Sequence, residues 1–257
     1  DTACPVAVSL GSTQKAERQK FQLRCALYPR RARLYGALGN VARAAFSGTC
    51  FTGGNGMTGK NSLWQGLGRY LDAVQLAAVR GARVGVAGAG GLGSNAALML
   101  ARSGVEDFLL VDDDTVDVSN LNRQQFWPRH VGMPKVDALK SLLLDLNPAA
   151  RVETRRLRLT ADNVARVVRD CPLWLEALDG ARDKRLFVEA VMSAGLRVAS
   201  ASGIGGYGRE PLGRRRMGRL IVVGDFSTDV AEAPPLAPRV TEAAALLADA
   251  ALTWILE

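Results

Sequence analysis

The fold is decided by the stretch from Arg83 to Gly93, which reads RVGVA followed by GAGGLG. The first five residues form a short apolar run, which is typical of a buried strand, and the rest fits the pattern G-x-G-x-x-G. A helical pattern follows from about Leu92 to Arg102, and Gly104 is well placed to end it. The stretch therefore predicts a strand, a tight turn and a helix in succession.

The glycines of this turn suit a bound phosphate. Gly88 and Gly90 permit a tight turn and let backbone N–H groups approach phosphate oxygens, and Gly93 lets the helix pack close to the strand. The helix N-terminus adds partial positive charge and free N–H donors. Asp112 follows Gly93 by 19 positions, after a second apolar run at 108–111, where a carboxylate can bind ribose hydroxyls. The sequence therefore predicts a nucleotide with free ribose hydroxyls.

Strand and helix patterns alternate through the remainder of the chain. Pro134 and Thr160 are placed to begin helices, further strands are expected at 173–178, 196–199 and 220–223, and a closing helix is expected from Thr241. Alternation of this kind predicts an α/β fold with a Rossmann-like doubly wound sheet that is mostly parallel.

The basic charge of the chain is concentrated at one end. Residues 1–60 hold nine Lys or Arg and two Asp or Glu, whereas the remaining residues hold 24 and 23. Residues 1–65 show no sustained helical or strand period, so we predict an N-terminal appendage there, helical or poorly ordered, and one nucleotide-binding domain over 66–257. The segment from Gly54 to Lys60 resembles a phosphate-binding loop, but Asn61 replaces the Ser or Thr that would hold magnesium. We expect a flexible loop there.

Composition excludes several classes of site. The four cysteines form no C-x-x-C pair, which argues against a cysteine-rich zinc site, and the single histidine, His130, excludes a multi-histidine metal site and is expected to be an ordinary loop residue. Charges interrupt the longest apolar runs, so no membrane span is expected. Sparse cysteine and the lack of a basic-then-apolar leader pattern favour a cytoplasmic protein.

A long polar stretch follows the second strand. Residues 112–125 read DDDTVDVSNLNRQQ, and GMPK follows at 132–135. This order places Asn120, Arg123 and Lys135 near the carboxyl end of a strand, where a nucleotide binds. Two cations there suit a triphosphate better than a pyrophosphate that the glycine turn already holds.

These motifs together resemble a known family. G-x-G-G-L-G, D-x-D, S-N-L-x-R-Q and G-x-P-K, in this order, are similar to the ubiquitin-activating-enzyme-like superfamily, and most similar to its ThiF/MoeB branch of sulfur carrier protein adenylyltransferases. The resemblance covers about residues 80–257. The later segments ASASG, GYG, IVVGD and APRV resemble the short ThiF variety that lacks a zinc module.

The resemblance implies roles for individual residues. Asp112 would bind the ribose, Asn120, Arg123 and Gln124 would contact phosphates, and Lys135 would lie near the α- and β-phosphates. Asp179 would hold magnesium, and with Arg123 and Lys135 it completes the implied catalytic set. The implied nucleotide-binding residues are Gly88, Gly90, Gly91, Gly93, Asp112, Asp114, Asn120, Arg123, Gln124 and Lys135. The alternatives are a surface salt-bridge network for Arg123 and Lys135, which we expect to be exposed, and a helix N-cap for Asp179.

The resemblance also implies an activity. It is the ATP- and Mg²⁺-dependent adenylation of the C-terminal glycine of a ubiquitin-like, ThiS-like sulfur carrier protein, in thiamine biosynthesis, by a homodimer. No cysteine lies in 180–257, so we expect adenylation without an enzyme-bound thioester. Arg69-Tyr70 resembles a segment that reaches the partner subunit's site. The alternatives are a tRNA-modifying dehydratase of the same superfamily, an NAD-dependent oxidoreductase and a non-catalytic nucleotide-binding module.

Overall fold

A computed structural model describes residues 62–208 and 210–257 of the chain. The predictions for residues 1–61, including the segment from Gly54 to Lys60 and three of the four cysteines, lie outside the described residues. The first described helix spans Ser62–Leu67 and therefore crosses the domain boundary predicted between residues 65 and 66. The division of the chain into two domains stays a prediction.

The described residues alternate between helices and strands. The helices are α1 (Ser62–Leu67), α2 (Ala73–Gly81), α3 (Gly91–Arg102), α4 (Lys135–Leu146), α5 (Val164–Val167), α6 (Ala181–Ser193) and α7 (Ala237–Leu256). Short 3-10 turns lie at Val118–Asn120, Pro128–His130 and Val168–Asp170. The strands are β1 (Arg83–Ala87), β2 (Asp107–Val111), β3 (Arg151–Arg155), β4 (Leu173–Glu176), β5 (Arg197–Ala201), β6 (Gly213–Met217) and β7 (Leu220–Gly224). Among these helices, none combines the length and the apolarity that a membrane span requires.

The seven strands form one sheet in the order β3-β2-β1-β4-β5-β7-β6. Every neighbouring pair is parallel except β6 and β7, which are antiparallel. The predicted Rossmann-like, mostly parallel α/β fold is therefore confirmed. The chain moves outward from β1 in one direction through β2 and β3 and in the other through β4 and β5. Sheets of this kind bind ligands beyond the carboxyl ends of the strands where the direction reverses, here between β1 and β4.

Two hydrophobic layers cover the sheet, one on each face. The first contains α3, α4 and α7, and fully buried alanines such as Ala96, Ala97 and Ala243 let α3 and α7 approach closely. The second contains Trp174 and Phe187, whose rings meet edge to face at 5.2 Å. A Cβ at Gly85 would overlap the Trp174 ring, so this glycine in β1 makes room for the largest side chain of β4.

The two outer strands, β3 and β6, are absent from the sequence-based prediction. Only Val152 is buried in β3, and all five residues of β6 are exposed. Edge strands bury little, so they lack the continuous apolar run that marks the central parallel strands. Some boundaries also differ: α7 begins at Ala237 rather than Thr241, and α5 follows Asn163 rather than Thr160.

Candidate active site

The glycine turn between β1 and α3 is enclosed by backbone on two sides. Gly88 has a φ of +94° and donates from its N–H to the Val111 carbonyl oxygen at 2.8 Å. A Cβ at Gly88 would overlap the Ala177 carbonyl oxygen, and a Cβ at Gly93 would overlap the Gly88 carbonyl oxygen. No side chain caps the N-terminus of α3 at Gly90. The turn therefore requires glycine sterically, and it leaves the positive end of α3 open to an anion.

Asp112 joins this turn to the end of β2. Its carboxylate accepts hydrogen bonds from the Ala89 N–H at 2.6 Å and from the Asp114 N–H at 2.8 Å. The side chain is half-buried, and this burial raises the pKa of the Asp112 carboxyl, although the two backbone N–H groups oppose the shift. Each oxygen keeps a second acceptor site, which suits ribose hydroxyls.

Lys135 is the first residue of α4, and its side chain is only 6% exposed. Its ammonium group lies 2.7 Å from the Asp114 carboxylate, and its backbone N–H donates to the Asp114 carbonyl oxygen at 2.9 Å. The expectation that Lys135 is exposed is therefore wrong. An isolated antiparallel bridge between Thr115 and Pro134 holds the start of α4 against the segment after β2.

Arg123 and Gln124 follow the 3-10 turn at Val118–Asn120. Arg123 is partly exposed and donates to the Asn122 side chain at 2.9 Å and to the Ser119 carbonyl at 3.3 Å. It forms no ion pair among the described residues, so the salt-bridge alternative does not hold for it. Gln124 is buried, and its Oε1 atom lacks a hydrogen-bond partner in the described part of the chain. A buried polar atom without a partner is costly, so a bound ligand that supplies a donor would stabilise this position.

Asn120 is committed to its own turn. Its side-chain oxygen accepts a hydrogen bond from the Asp117 N–H at 3.0 Å, and the Asp117 carboxylate in return accepts one from the Ser119 N–H. This reciprocal pair forms a capping box. The side-chain amide NH₂ of Asn120 is the group left to meet a phosphate.

Asp179 is exposed in the turn between β4 and α6. The N-cap of α6 is Gly180, and no side chain caps this helix, so the N-cap alternative for Asp179 is wrong. Asp179 lines two cavities that adjoin at Leu178 and Asp179.

The smaller cavity, about 290 Å³, contains the glycine turn, the three aspartates that follow β2, and Lys135. The larger one, about 460 Å³, contains Gly91, Arg123 and Lys184, together with residues that follow β5 and β7. The structure therefore groups most of the predicted residues around two adjoining cavities at one edge of the sheet, whereas Gly93, Asn120 and Gln124 line neither cavity. Arg69 and Tyr70 line neither cavity, and Tyr70 is 84% exposed.

Carboxylate oxygens of Asp112, Asp113 and Asp114 lie within 4.8 Å of one another. Oxygen ligands of this type are those that Mg²⁺ prefers, together with oxygens of substrate phosphates. Asp179 is not in this group, but it lines the same cavity. The donor set therefore fits a magnesium ion that is shared with phosphates.

A buried charged network beneath the larger cavity is absent from the sequence-based prediction. Glu176 is fully buried, and its carboxylate accepts from Lys184 and Ser200 at 2.6 Å each and from the Leu178 N–H at 2.7 Å. A buried charge must be paired, so an acid inside the apolar strand LWLE is the signal that could have revealed it. The network fixes the turn that presents Asp179.

Two reactive residue types serve structural roles. Cys171 is buried, and this burial raises the pKa of its thiol to about 12, so the thiol stays protonated near neutral pH. His130 is buried in the 3-10 turn at Pro128–His130, where its Nδ1 accepts from the Trp127 N–H at 3.1 Å. His130 is thus the ordinary loop residue that was expected.

The model of the ThiF family matches residues 67–210, which is more than half of the chain. The chain belongs to the ThiF family. This membership confirms the resemblance that the combined motifs indicate, and the matched range contains both the glycine turn and Asp179.

Curated relatives align over the same part of the chain. The adenylyltransferase and sulfurtransferase UBA4 of Candida glabrata is 34% identical over 152 residues, covering 59% of this chain and 34% of the relative. The protein of the same name from Lodderomyces elongisporus is 36% identical over 132 residues, covering 51% of this chain and 29% of the relative. The chain spans about a third of the length of these relatives.

Solved structures share the fold. The tRNA N6-threonylcarbamoyladenosine dehydratase TcdA of E. coli, in complex with ATP, gives a TM-score of 0.68 at 22% identity, covering 76% of this chain and 94% of that one. E. coli MccB with ATP gives a TM-score of 0.59 at 21% identity, covering 71% of this chain and 58% of that one.

Proposed function

We propose that this ThiF-family chain uses ATP to adenylate the C-terminal glycine of a ubiquitin-like sulfur carrier protein and releases pyrophosphate. The observation that carries the proposal is the pair of adjoining cavities. The smaller cavity is lined by groups that suit a nucleotide. The larger cavity is lined by Arg123, and the two cavities share the carboxylate of Asp179.

The smaller cavity suits ATP. The N-terminus of α3 would receive phosphate oxygens, Asp112 would bind the ribose, and Lys135 would offset negative charge on the phosphates. Bound Mg²⁺ would supply further positive charge, and Asp179 would hold it with help from the carboxylates after β2. Asn120 would contribute a neutral donor at the edge of the phosphates, and the Oε1 atom of Gln124 would accept from a donor group of the ligand.

The larger cavity suits a slender acyl substrate. Small residues line much of it: Gly91, Ala181, Ala201, Ser202 and Gly203. A chain that ends in glycines fits such a space, and its carboxylate is ionised near neutral pH, so the attack needs no general base. A carboxylate oxygen bonds to the α-phosphorus while the bond from that phosphorus to the bridging oxygen breaks, and the electron pair leaves with pyrophosphate. Arg123 would offset the charge that accumulates on the phosphates.

The proposed carrier, pathway and oligomeric state follow the family resemblance. We propose a ThiS-like carrier, a place in thiamine biosynthesis, and a homodimer. The names of the UBA4 relatives include sulfurtransferase, but we propose adenylation alone here, because 180–257 contains no cysteine and the Cys171 thiol is buried.

A second candidate is the dehydration of a modified nucleoside in tRNA. The dehydratase TcdA is covered over 94% of its length, and residues 1–60 of this chain carry a net charge of +7, which favours a nucleic-acid partner. ThiF-family membership offers no support for the NAD-dependent oxidoreductase alternative.

ATP–pyrophosphate exchange tests the proposal. We expect exchange that depends on Mg²⁺ and on a ThiS-like carrier ending in Gly-Gly, and no exchange with the same carrier amidated at its C-terminus. ATP consumption that requires tRNA rather than any carrier would replace the first candidate with the second. Nucleotide binding without turnover in either assay would leave a binding module.

A further inference from the structure

A buried ion pair lies behind the wall of the larger cavity. Asp225 is the first residue after β7, and its side chain is 11% exposed. The carboxylate accepts hydrogen bonds from the Ser227 N–H at 2.9 Å, the Thr228 N–H at 2.8 Å and the Thr228 hydroxyl at 2.6 Å. It also accepts from the Ser227 hydroxyl at 3.3 Å and from the Arg239 guanidinium at 2.7 Å.

Arg239 connects three segments through one guanidinium. It lies in the first turn of α7, its side chain is 6% exposed, and it also donates to the Glu210 carbonyl oxygen at 3.0 Å. The pair therefore ties α7 both to the segment after β7 and to the segment after β5.

The residues that this pair holds form the cavity wall. Phe226, Ser227, Thr228, Asp229 and Val230 line the larger cavity, and so does Val240, next to Arg239. The backbone there follows an irregular path, with φ of +64° at Phe226 and +72° at Gly203. A Cβ at Gly203 would overlap the Asp225 carboxylate. In the absence of regular secondary structure, this wall is held by the hydrogen bonds to Asp225, together with backbone hydrogen bonds from Phe226 to Ser202 at 3.2 Å and from Gly205 to Thr228 at 3.4 Å.

Stability alone does not account for the pair. Removing two charges from water is costly, and an apolar pair of similar volume often stabilises a fold as well or better. Although burial opposes ionisation of Asp225, the hydrogen bonds from Thr228, Ser227 and Arg239 hold the pKa of its carboxyl well below its usual range. The pair therefore stays charged at physiological pH. Its hydrogen bonds are directional, which suits a role in fixing one conformation of the wall.

We propose that Asp225 and Arg239 are positioning residues of the larger cavity, which fix the wall at 226–230 and so set the affinity for the carboxylate substrate. This inference rests on the proposed adenylation. The glycine turn, Asp112 and Lys135 line the other cavity, and Arg123 and Gly91 are the implied nucleotide-binding residues that line this one. The pair should therefore affect the carrier protein much more than ATP.

Asp225→Asn is the principal test. The new side chain has nearly the same volume, but its amide NH₂ would face the Arg239 guanidinium. Both groups are hydrogen-bond donors, so the contact would be lost. We expect the KM for the carrier in pyrophosphate exchange to rise by about 10- to 100-fold, which corresponds to a displacement of the cavity wall by about 1 Å. The KM for ATP should stay within about twofold of the parent value. Hydrogen–deuterium exchange of peptides covering 226–235 should increase.

Two further variants make the test specific. Asp249 lies on the same helix as Arg239, outside the cavity, and forms an ion pair of 2.8 Å with Arg214 of β6. Asp249→Asn removes this ion pair and should change neither KM nor the exchange of 226–235. Arg239→Met should match Asp225→Asn, and Arg239→Lys should recover part of the carrier affinity because it keeps a charge opposite Asp225. If Asp225→Asn does not fold, the comparison of Arg239→Lys with the parent decides the question.

The outcomes separate the two proposals. An unchanged carrier KM, or a carrier KM and an ATP KM that rise together, would overturn the positioning role while leaving the adenylation intact. If the parent protein shows no carrier-dependent exchange, the proposed function fails. The hydrogen–deuterium exchange of 226–235 then tests whether the pair fixes the wall. Unchanged exchange in Asp225→Asn would overturn that claim.

Discussion

Substitution of Gly93 by alanine isolates the steric requirement of the phosphate-binding turn. The new Cβ would fall more than 1 Å inside the 3.0 Å limit below which real Cβ contacts do not occur, and the atom that it meets is the Gly88 carbonyl oxygen. Because this atom is backbone, the start of α3 has to move away from β1 by more than 1 Å. The same glycine turn contacts Ala177 and is tied to Asp112 through Ala89, so the movement would extend to the whole site.

The expected cost follows from this displacement. Overpacking of a tight interior typically destabilises by about 1–3 kcal/mol, which for a domain of this size lowers Tm by about 2–12 °C. A shift near 1 Å in the N–H groups that face the phosphates should reduce exchange activity by about 100-fold. A 100-fold loss corresponds to about 2.7 kcal/mol, so the losses of activity and of stability should be of similar size in free energy.

Thermal unfolding and Mg²⁺-ATP binding by calorimetry would measure both effects. Gly81→Ala is the matched control, since a Cβ at Gly81 meets nothing within 4 Å, and a helical alanine is favoured over glycine by about 1 kcal/mol. The control should keep the parent ATP affinity and melt no lower than the parent. Parent-like ATP affinity in Gly93→Ala would refute the assignment of this turn to phosphate binding.

Three further predictions concern single side chains. Lys135→Ala should reduce carrier-dependent exchange by about 100-fold or more, while its circular dichroism spectrum should match that of the parent. Lys140→Ala in the same helix is the control. Parent-like turnover in Lys135→Ala would show that the lysine has no part in the mechanism. Because burial raises the folded-state pKa of Asp112, this carboxyl favours folding below its unfolded pKa and opposes it above the folded pKa. Asp112→Asn should weaken ATP binding, and the Tm of the parent relative to this variant should fall as the pH rises through the folded-state pKa of Asp112. A relative Tm that rises with pH would contradict the sign. Mass spectrometry after incubation with carrier and ATP should find no adduct on Cys171, since its thiol has a pKa of about 12; a thioester there would show that the segment opens.

The amino-acid sequence was sufficient to predict the central βαβ unit and the binding of a nucleotide beside it. The order of strand, glycine turn and helix depends on residues that are adjacent in the chain, and the local sterics of Gly88 and Gly93 are encoded within a few positions. The central parallel strands are buried on both faces, so their apolar runs are visible in the sequence as well. The outer strands β3 and β6 were missed because edge strands bury few side chains.

Only the tertiary structure shows which polar and charged side chains contact one another. Lys135 and Asp114 are paired across 21 positions, Glu176 and Ser200 across 24, and Arg239 and Asp225 across 14. No local pattern specifies these partners, since burial and charge pairing arise when strands and helices distant in the chain pack together. For the same reason the sequence predicted an exposed Lys135 and left helix capping open as an alternative role for Asp179, whereas packing buries the Lys135 side chain and places Asp179 where two cavities adjoin.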